Sequence, residues 1–237
     1  MRPLLFVRCD DADTFGVGPA AVEAAGGTVA VWDAIGGEPR PGLAAVAGVV
    51  LFGSSYNVEH ADEQPFILAT GDLIREAVDT QVPFLGVCFG AQALTWALGG
   101  RVMKAPSREV GFEPIRPTAA AADDPLLSHY ADGDMVFQWH MDTFELPDAA
   151  QLLATGDHVA NQAFRLGEAT WATQFHLEID RPEIELWMAE DPENIEAVWG
   201  KSPARIEAES DELQALHEVK GREVFARFTR LAARHRR

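Results

Sequence analysis

The chain has 237 residues, enough for a full core and consistent with one main domain plus elaborations. Its 37 acidic and 19 basic residues give a formal charge of −18, which repels phosphates, excludes nonspecific attraction to nucleic acid or an anionic membrane, and suits a small or cationic partner. The only cysteines, Cys9 and Cys88, argue against a disulfide-stapled secreted framework and for a reduced, cytoplasmic setting, and no apolar run approaches the roughly 20 residues a membrane helix needs.

Along the chain, LLFVR from Leu4, TVAVW from Thr28 and GVVLFG from Gly48 read as buried strands bounded by Gly, Pro or acidic residues. The apolar stretch before Arg8 is too short for a signal-peptide core, and Asp10, Asp11 and Asp13 read as a solvated turn. GPAAVEAAGG is a short helix stopped by its glycine pair, and QPFILATGDLIREAVDT carries helical spacing. VPFLGVC is a further strand, followed at once by the helix pattern FGAQALTWALGG. From Gly111 to Gln174 the pattern becomes short strands separated by turns, which predicts an antiparallel excursion that rejoins the main sheet near Thr170. Arg181 onward is rich in helix formers and ends in the basic RHRR. Strands alternating with helices predict a doubly wound, mostly parallel α/β sheet, with a main domain over 1–180 and a C-terminal helical appendage over 181–237 packed on it.

The chemistry concentrates at PFLGVCFGAQ. Cys88 stands between strand and helix, flanked by Gly86 and Gly90, which permit the sharp turn of a nucleophile elbow, while the helix N-terminus presents N–H groups beside the sulfur. A thiol nucleophile needs a base held by a carboxylate, and QFHLE offers His176 and Glu178 two residues apart, on one face if that segment is a strand. The remaining histidines are scattered, without zinc-type spacing; no metal or cofactor is expected. Trp187 and Trp199 are read as anchors of the appendage.

These motifs, in the order LFGSSYNVE, GVCFGAQALTWALGGRV, REVGFEPI, FQWHMDTFELP, NQAF and QFHLE, resemble the class I glutamine amidotransferase family, particularly stand-alone domains similar to the amidotransferase part of GMP synthase. The resemblance spans about Leu4 to Glu178 and implies a flavodoxin-like fold and thiol hydrolysis of a γ-carboxamide. It implies Cys88, His176 and Glu178 as the catalytic set, Phe89 with Gly53 and Ser54 as oxyanion donors, and Gln92, Trp139, His140 and Met141 as substrate contacts. Ser54 and Ser55 depart from the family's usual Gly-Gly-Pro, Trp139 and Met141 from smaller or polar residues, and Leu177 from a frequent proline. The substrate class is then glutamine or a γ-glutamyl small molecule. An amidotransferase would need a separate synthetase subunit, since no P-loop is present. A self-sufficient γ-glutamyl peptide or amide hydrolase would use the same residues. A noncatalytic domain on the same scaffold is the reading from another class, and the broader Cys-elbow superfamily is set apart by lacking the late His-x-Glu pair.

Overall fold

The computed structural model describes residues 2–190 and 193–235; Asp191 of the ELWMAED segment and Arg236–Arg237 of the basic tail lie outside them. Nine strands form one sheet in the order β2-β1-β3-β4-β9-β8-β7-β5-β6. Its first half is parallel: β1 (Leu4–Arg8) lies between β2 (Val29–Asp33) and β3 (Gly48–Leu51), followed by β4 (Phe84–Val87) and β9 (Thr170–Thr173). In β1, β3 and β4 nearly every residue is buried, which explains why these segments read as continuous apolar runs without alternation. The 2-1-3-4 order is that of flavodoxin-like sheets, whose ligands sit beyond the carboxyl ends of the strands.

The second half is antiparallel. It comprises β5 (Val102–Pro117), β6 (Asp134–Phe144), β7 (Ala150–Gly156) and β8 (Ala163–Leu166), the last pairing with β9. The excursion starts earlier than its composition suggests: β5 begins at Val102, straight after the helix, because its first half pairs with the end of β6 and holds a register shift between Lys104 and Glu109. The residues there, KAPSR, are mostly small or charged and half-buried or exposed, so they carry no apolar alternation by which a strand is recognised.

Two helical layers cover the sheet. On one face α2 (Pro65–Asp79) and α3 (Phe89–Ala97) pack over Leu5, Val7, Val49 and Leu51. In α2 the helix phase buries Ile67 and leaves Leu68 exposed. On the other face lie α1 (Gly18–Ala24) and α6 (Pro203–Arg234), preceded by the shorter α4 (Arg181–Glu190) and α5 (Ile195–Trp199). α6 is 32 residues long and is capped by Ser202, whose side chain accepts from the Arg205 N–H, with Pro203 in the first turn. Its Val224, Phe225 and Phe228 enter the same cluster as Phe6, Phe15 and Phe52, with the Phe6 and Phe225 rings 5.9 Å apart. The C-terminal segment therefore roofs one face of the sheet. Truncating a fully buried Phe225 to Ala would cost about 3–5 kcal/mol.

Candidate active site

Cys88 lies at the turn from β4 into α3 with φ 50° and ψ −104°, a conformation that non-glycine residues rarely adopt and that points the thiol off the top of the sheet. Two close approaches hold it there. A Cβ on Gly86 would sit 2.6 Å from the Gly90 carbonyl oxygen, and one on Gly90 would sit 2.1 Å from that of Leu51. Glycine at both positions lets the first turn of α3 press on β3 and β4, and the Cys88 N–H donates to the Thr173 carbonyl at 2.8 Å.

Opposite the thiol, the chain leaves β9 at Thr173. His176 is not in a regular strand: it forms one isolated bridge to Phe137 of β6, its N–H donating to the Phe137 carbonyl at 2.9 Å. The expectation of a strand through QFHLE is thus corrected, because residues 174–178 have no continuous ladder partner and are held by separate anchors. The Val17 N–H donates to the Glu178 carbonyl at 2.8 Å, and Gln214 Nε2 donates to that of Ile179 at 2.9 Å. His217 Nε2 donates to the His176 carbonyl at 2.9 Å. A Cβ on Gly221 would meet the Leu177 carbonyl oxygen at 1.9 Å, so glycine lets α6 lie against this segment.

So anchored, His176 Nδ1–H donates to Glu178 Oε1 at 2.7 Å, with both side chains buried. Burial disfavours the imidazolium, but the neighbouring Cys88 and the Glu178 carboxylate outweigh it and hold His176 well above the ordinary histidine range. Gly53, after β3, closes the cluster: a Cβ there would lie 2.9 Å from His176 Cε1. In the same turn Ser54 Oγ donates to the Cys9 carbonyl at 2.7 Å and the Ser55 N–H to Asp10 Oδ2 at 2.7 Å. The serines that depart from Gly-Gly-Pro thus tie the loop to the end of β1.

The sequence-derived residues converge on one pocket of about 490 Å³ whose walls include Gly53, Ser54, Cys88, Gln92, Trp139, His140, Met141 and His176. Gln92 is buried, its Nε2 donating to the Asp142 carbonyl at 3.3 Å and to Gln174 Oε1 at 3.4 Å. His140 borders the pocket, but both ring nitrogens are engaged, Nδ1 with the Asp142 carbonyl at 3.0 Å and Nε2 with Glu109 at 2.9 Å. The Trp139 carbonyl oxygen is 4.0 Å from Cys88 Sγ.

Residues 32–185 match the model of the class I glutamine amidotransferases. This chain belongs to that family. It is 38% identical over 143 residues to the glutamine-hydrolysing GMP synthase of Porphyromonas gingivalis, covering 60% of this chain and 26% of that protein. It is 31% identical over 137 residues to the glutamine amidotransferase-like protein YfeJ of Salmonella typhimurium, 58% of this chain and 57% of that one. The chain thus spans about a quarter of the GMP synthase and somewhat over half of YfeJ. Its fold matches a glutamine amidotransferase of Methylobacillus flagellatus with a TM-score of 0.89 at 24% identity, covering 97% of this chain and 95% of that one. A glutamine amidotransferase of Thermotoga maritima matches with a TM-score of 0.86 at 24% identity, covering 97% and 99%.

Several residues of this amidotransferase domain escaped the sequence. Gln174, fully buried beside the elbow, directs Nε2 at Cys88 Sγ at 3.7 Å; its place two residues before His176 was the available signal. Asp13 is not part of a solvated turn: it is buried, accepts from the Phe15 N–H at 2.8 Å, and is pushed well above the carboxylate range by burial and then by Glu183 and Glu178. Glu183 of α4 accepts from the Thr14 N–H at 2.9 Å and is raised to about 7, by burial first and the Glu178 charge second. One oxygen each of Asp13, Glu178 and Glu183 is buried without a hydrogen-bond partner among the described residues. Trp187 and Trp199 do more than anchor the C-terminal appendage. They also line the pocket, and the Trp187 ring lies 4.8 Å from that of His176 in an edge-on arrangement. No helix among the described residues is long and apolar enough to cross a membrane.

Proposed function

We propose that this domain hydrolyses a γ-glutamyl carboxamide, glutamine being the simplest case, through a thioester on Cys88. The observation that carries the reading is the thiol at a positive-φ elbow facing a buried imidazole that is held by a carboxylate at 2.7 Å. Cys88 Sγ attacks the amide carbon. The oxyanion that develops is met by the Phe89 N–H at the start of α3 and by those of Gly53 and Ser54, which have no other partner among the described residues. His176 gives its proton to the leaving nitrogen as the C–N bond breaks, and ammonia departs. Water then attacks the thioester, returning a proton to His176, and the C–S bond breaks to release glutamate. Glu178 keeps the ring oriented and favours its charged form. Gln92, Met141 and the backbone around Trp139 and His140 border the space for the glutamyl end.

The similarity to GMP synthase supports an ammonia-producing role beside a separate synthetase subunit. A pocket of about 490 Å³ favours a second version, hydrolysis of a larger γ-glutamyl amide by this chain alone, since it falls in the range that encloses ligands larger than an amino acid. Glutamate release from glutamine and from γ-glutamyl amides tests the shared chemistry. Cys88→Ala and Cys88→Ser are expected to abolish it, and unchanged turnover in Cys88→Ala would sink the assignment.

A further inference from the structure

Beyond the thiol, the pocket is walled by three tryptophans from three elements: Trp139 of β6, Trp187 of α4 and Trp199 of α5. Trp139 packs against Trp187 at 5.8 Å and 76°, and against Trp199 at 5.5 Å and 59°. Trp187 and Trp199 thus each stand steeply to Trp139, which forms the shared side of a box. All three are only partly buried, which leaves ring surface to the cavity. The box has a defined place in the proposed reaction: the Trp187 ring lies edge-on to His176, the group that protonates the departing nitrogen. It therefore borders the leaving-group side.

The rim of the same pocket carries Asp10 and Glu190. Neither is paired with a basic side chain among the described residues. Burial and the nearby Asp10 charge both push the Glu190 carboxyl upward, as expected of two carboxylates facing one another. The one lysine on the wall, Lys104, is already paired with Asp142 at 2.9 Å. Among the described residues the Asp10 carboxylate accepts only from the backbone N–H groups of Ala12 and Ser55, so its charge is not neutralised. Tryptophan faces and carboxylates without a basic partner share one preferred occupant: an organic cation, drawn by the ring quadrupoles and by the negative charge.

We infer that the preferred substrate is a γ-glutamyl amide whose amine portion carries a second, protonated amine, the Trp139–Trp187–Trp199 box and the Asp10–Glu190 rim holding that cation while Cys88 attacks. This rests on the proposed thiol hydrolysis. Glutamine would fill only the inner part of the pocket; a γ-glutamyl diamine would fill both parts.

The test compares kcat/KM for γ-glutamyl-1,4-diaminobutane with that for its neutral isostere γ-glutamyl-pentylamide and for glutamine, with inhibition of glutamine hydrolysis by free 1,4-diaminobutane as a binding readout. The cationic amide is expected to exceed the isostere by at least about tenfold, the scale of a partly desolvated cation–π contact. That ratio should fall toward one in Asp10→Asn/Glu190→Gln and in Trp199→Leu, and shrink in high salt. A ratio near or below one in the wild-type protein, with glutamine still hydrolysed or Cys88 still alkylated by a glutamine-analogue chloroketone, overturns the cation subsite and leaves the thiol chemistry standing. No glutamate from any substrate together with no alkylation of Cys88 overturns both. A ratio unchanged by the rim and box variants also refutes the assignment.

Discussion

Glu183→Gln tests whether the carboxyl groups behind His176 are protonated in the folded state. Glu183 is buried on α4 near Glu178 and Asp13, with one oxygen bonded to the Thr14 N–H and the other unpartnered among the described residues. Burial and the Glu178 charge raise it from about 4.5 to about 7. Between those values the folded protein holds a proton that the unfolded chain has released, so stability falls as pH rises through this window and levels off above it. About 2.5 units at 1.36 kcal/mol each gives a loss of ~3 kcal/mol by pH 8. Glutamine keeps the oxygen that accepts from Thr14, cannot ionise, and offers an amide to the neighbouring carboxylates. Glu183→Gln should therefore unfold close to wild type near pH 4.5 and gain ~3 kcal/mol over it at pH 8. At ~2–4 °C per kcal/mol for a protein of this size, that is a rise in Tm of roughly 6–12 °C. Urea unfolding and thermal melts at half-unit pH steps from 4.5 to 8 measure the difference. A stability difference that stays constant with pH refutes the protonated-carboxyl reasoning.

Other expectations follow from the same contacts. His217 is buried, donates to the His176 carbonyl and is lowered to about 4, so its contribution to stability is intact above about 6.5 and lost as pH falls toward 4. His217→Gln should flatten that acid limb in melts and, on the proposed mechanism, lower kcat by shifting the His176 ring. Because Glu178 helps hold His176 protonated, kcat/KM should show no decline on rising through pH 6.5, and its alkaline limb should move down in Glu178→Gln; an unmoved limb contradicts the coupling. In Gly53→Ala the new methyl must displace the His176 ring, and kcat/KM should drop by about a hundredfold while circular dichroism and Tm stay near wild type.

The elbow was legible because its requirements are local. Glycines two residues either side of Cys88, an apolar strand before and a helix after, prescribe the turn whatever the rest of the chain does. The parallel half of the sheet was legible for a similar reason, since strands buried on both faces must be apolar throughout. Asp13 and Glu183 were not legible. They are 170 positions apart, each looks like a solvated surface acid, and only folding places them together beside Glu178. Likewise, Trp187 and Trp199 read as packing residues until α4 and α5 set them against Trp139.

Sequence by itself determined the chemistry available to this protein: one thiol at a glycine-flanked turn, one histidine and one glutamate two residues apart, and the family to which their order belongs. Tertiary structure decided how that chemistry is posed and limited. His176 and Glu178 stand outside any regular strand, and what aligns them is α6, through Gln214, His217 and the missing side chain at Gly221. Orientation of a few ångströms depends on contacts between segments distant in the chain, and such contacts leave no periodicity in the sequence that makes them. The tryptophan box over the thiol arises in the same way, from three elements that meet only when the sheet is covered.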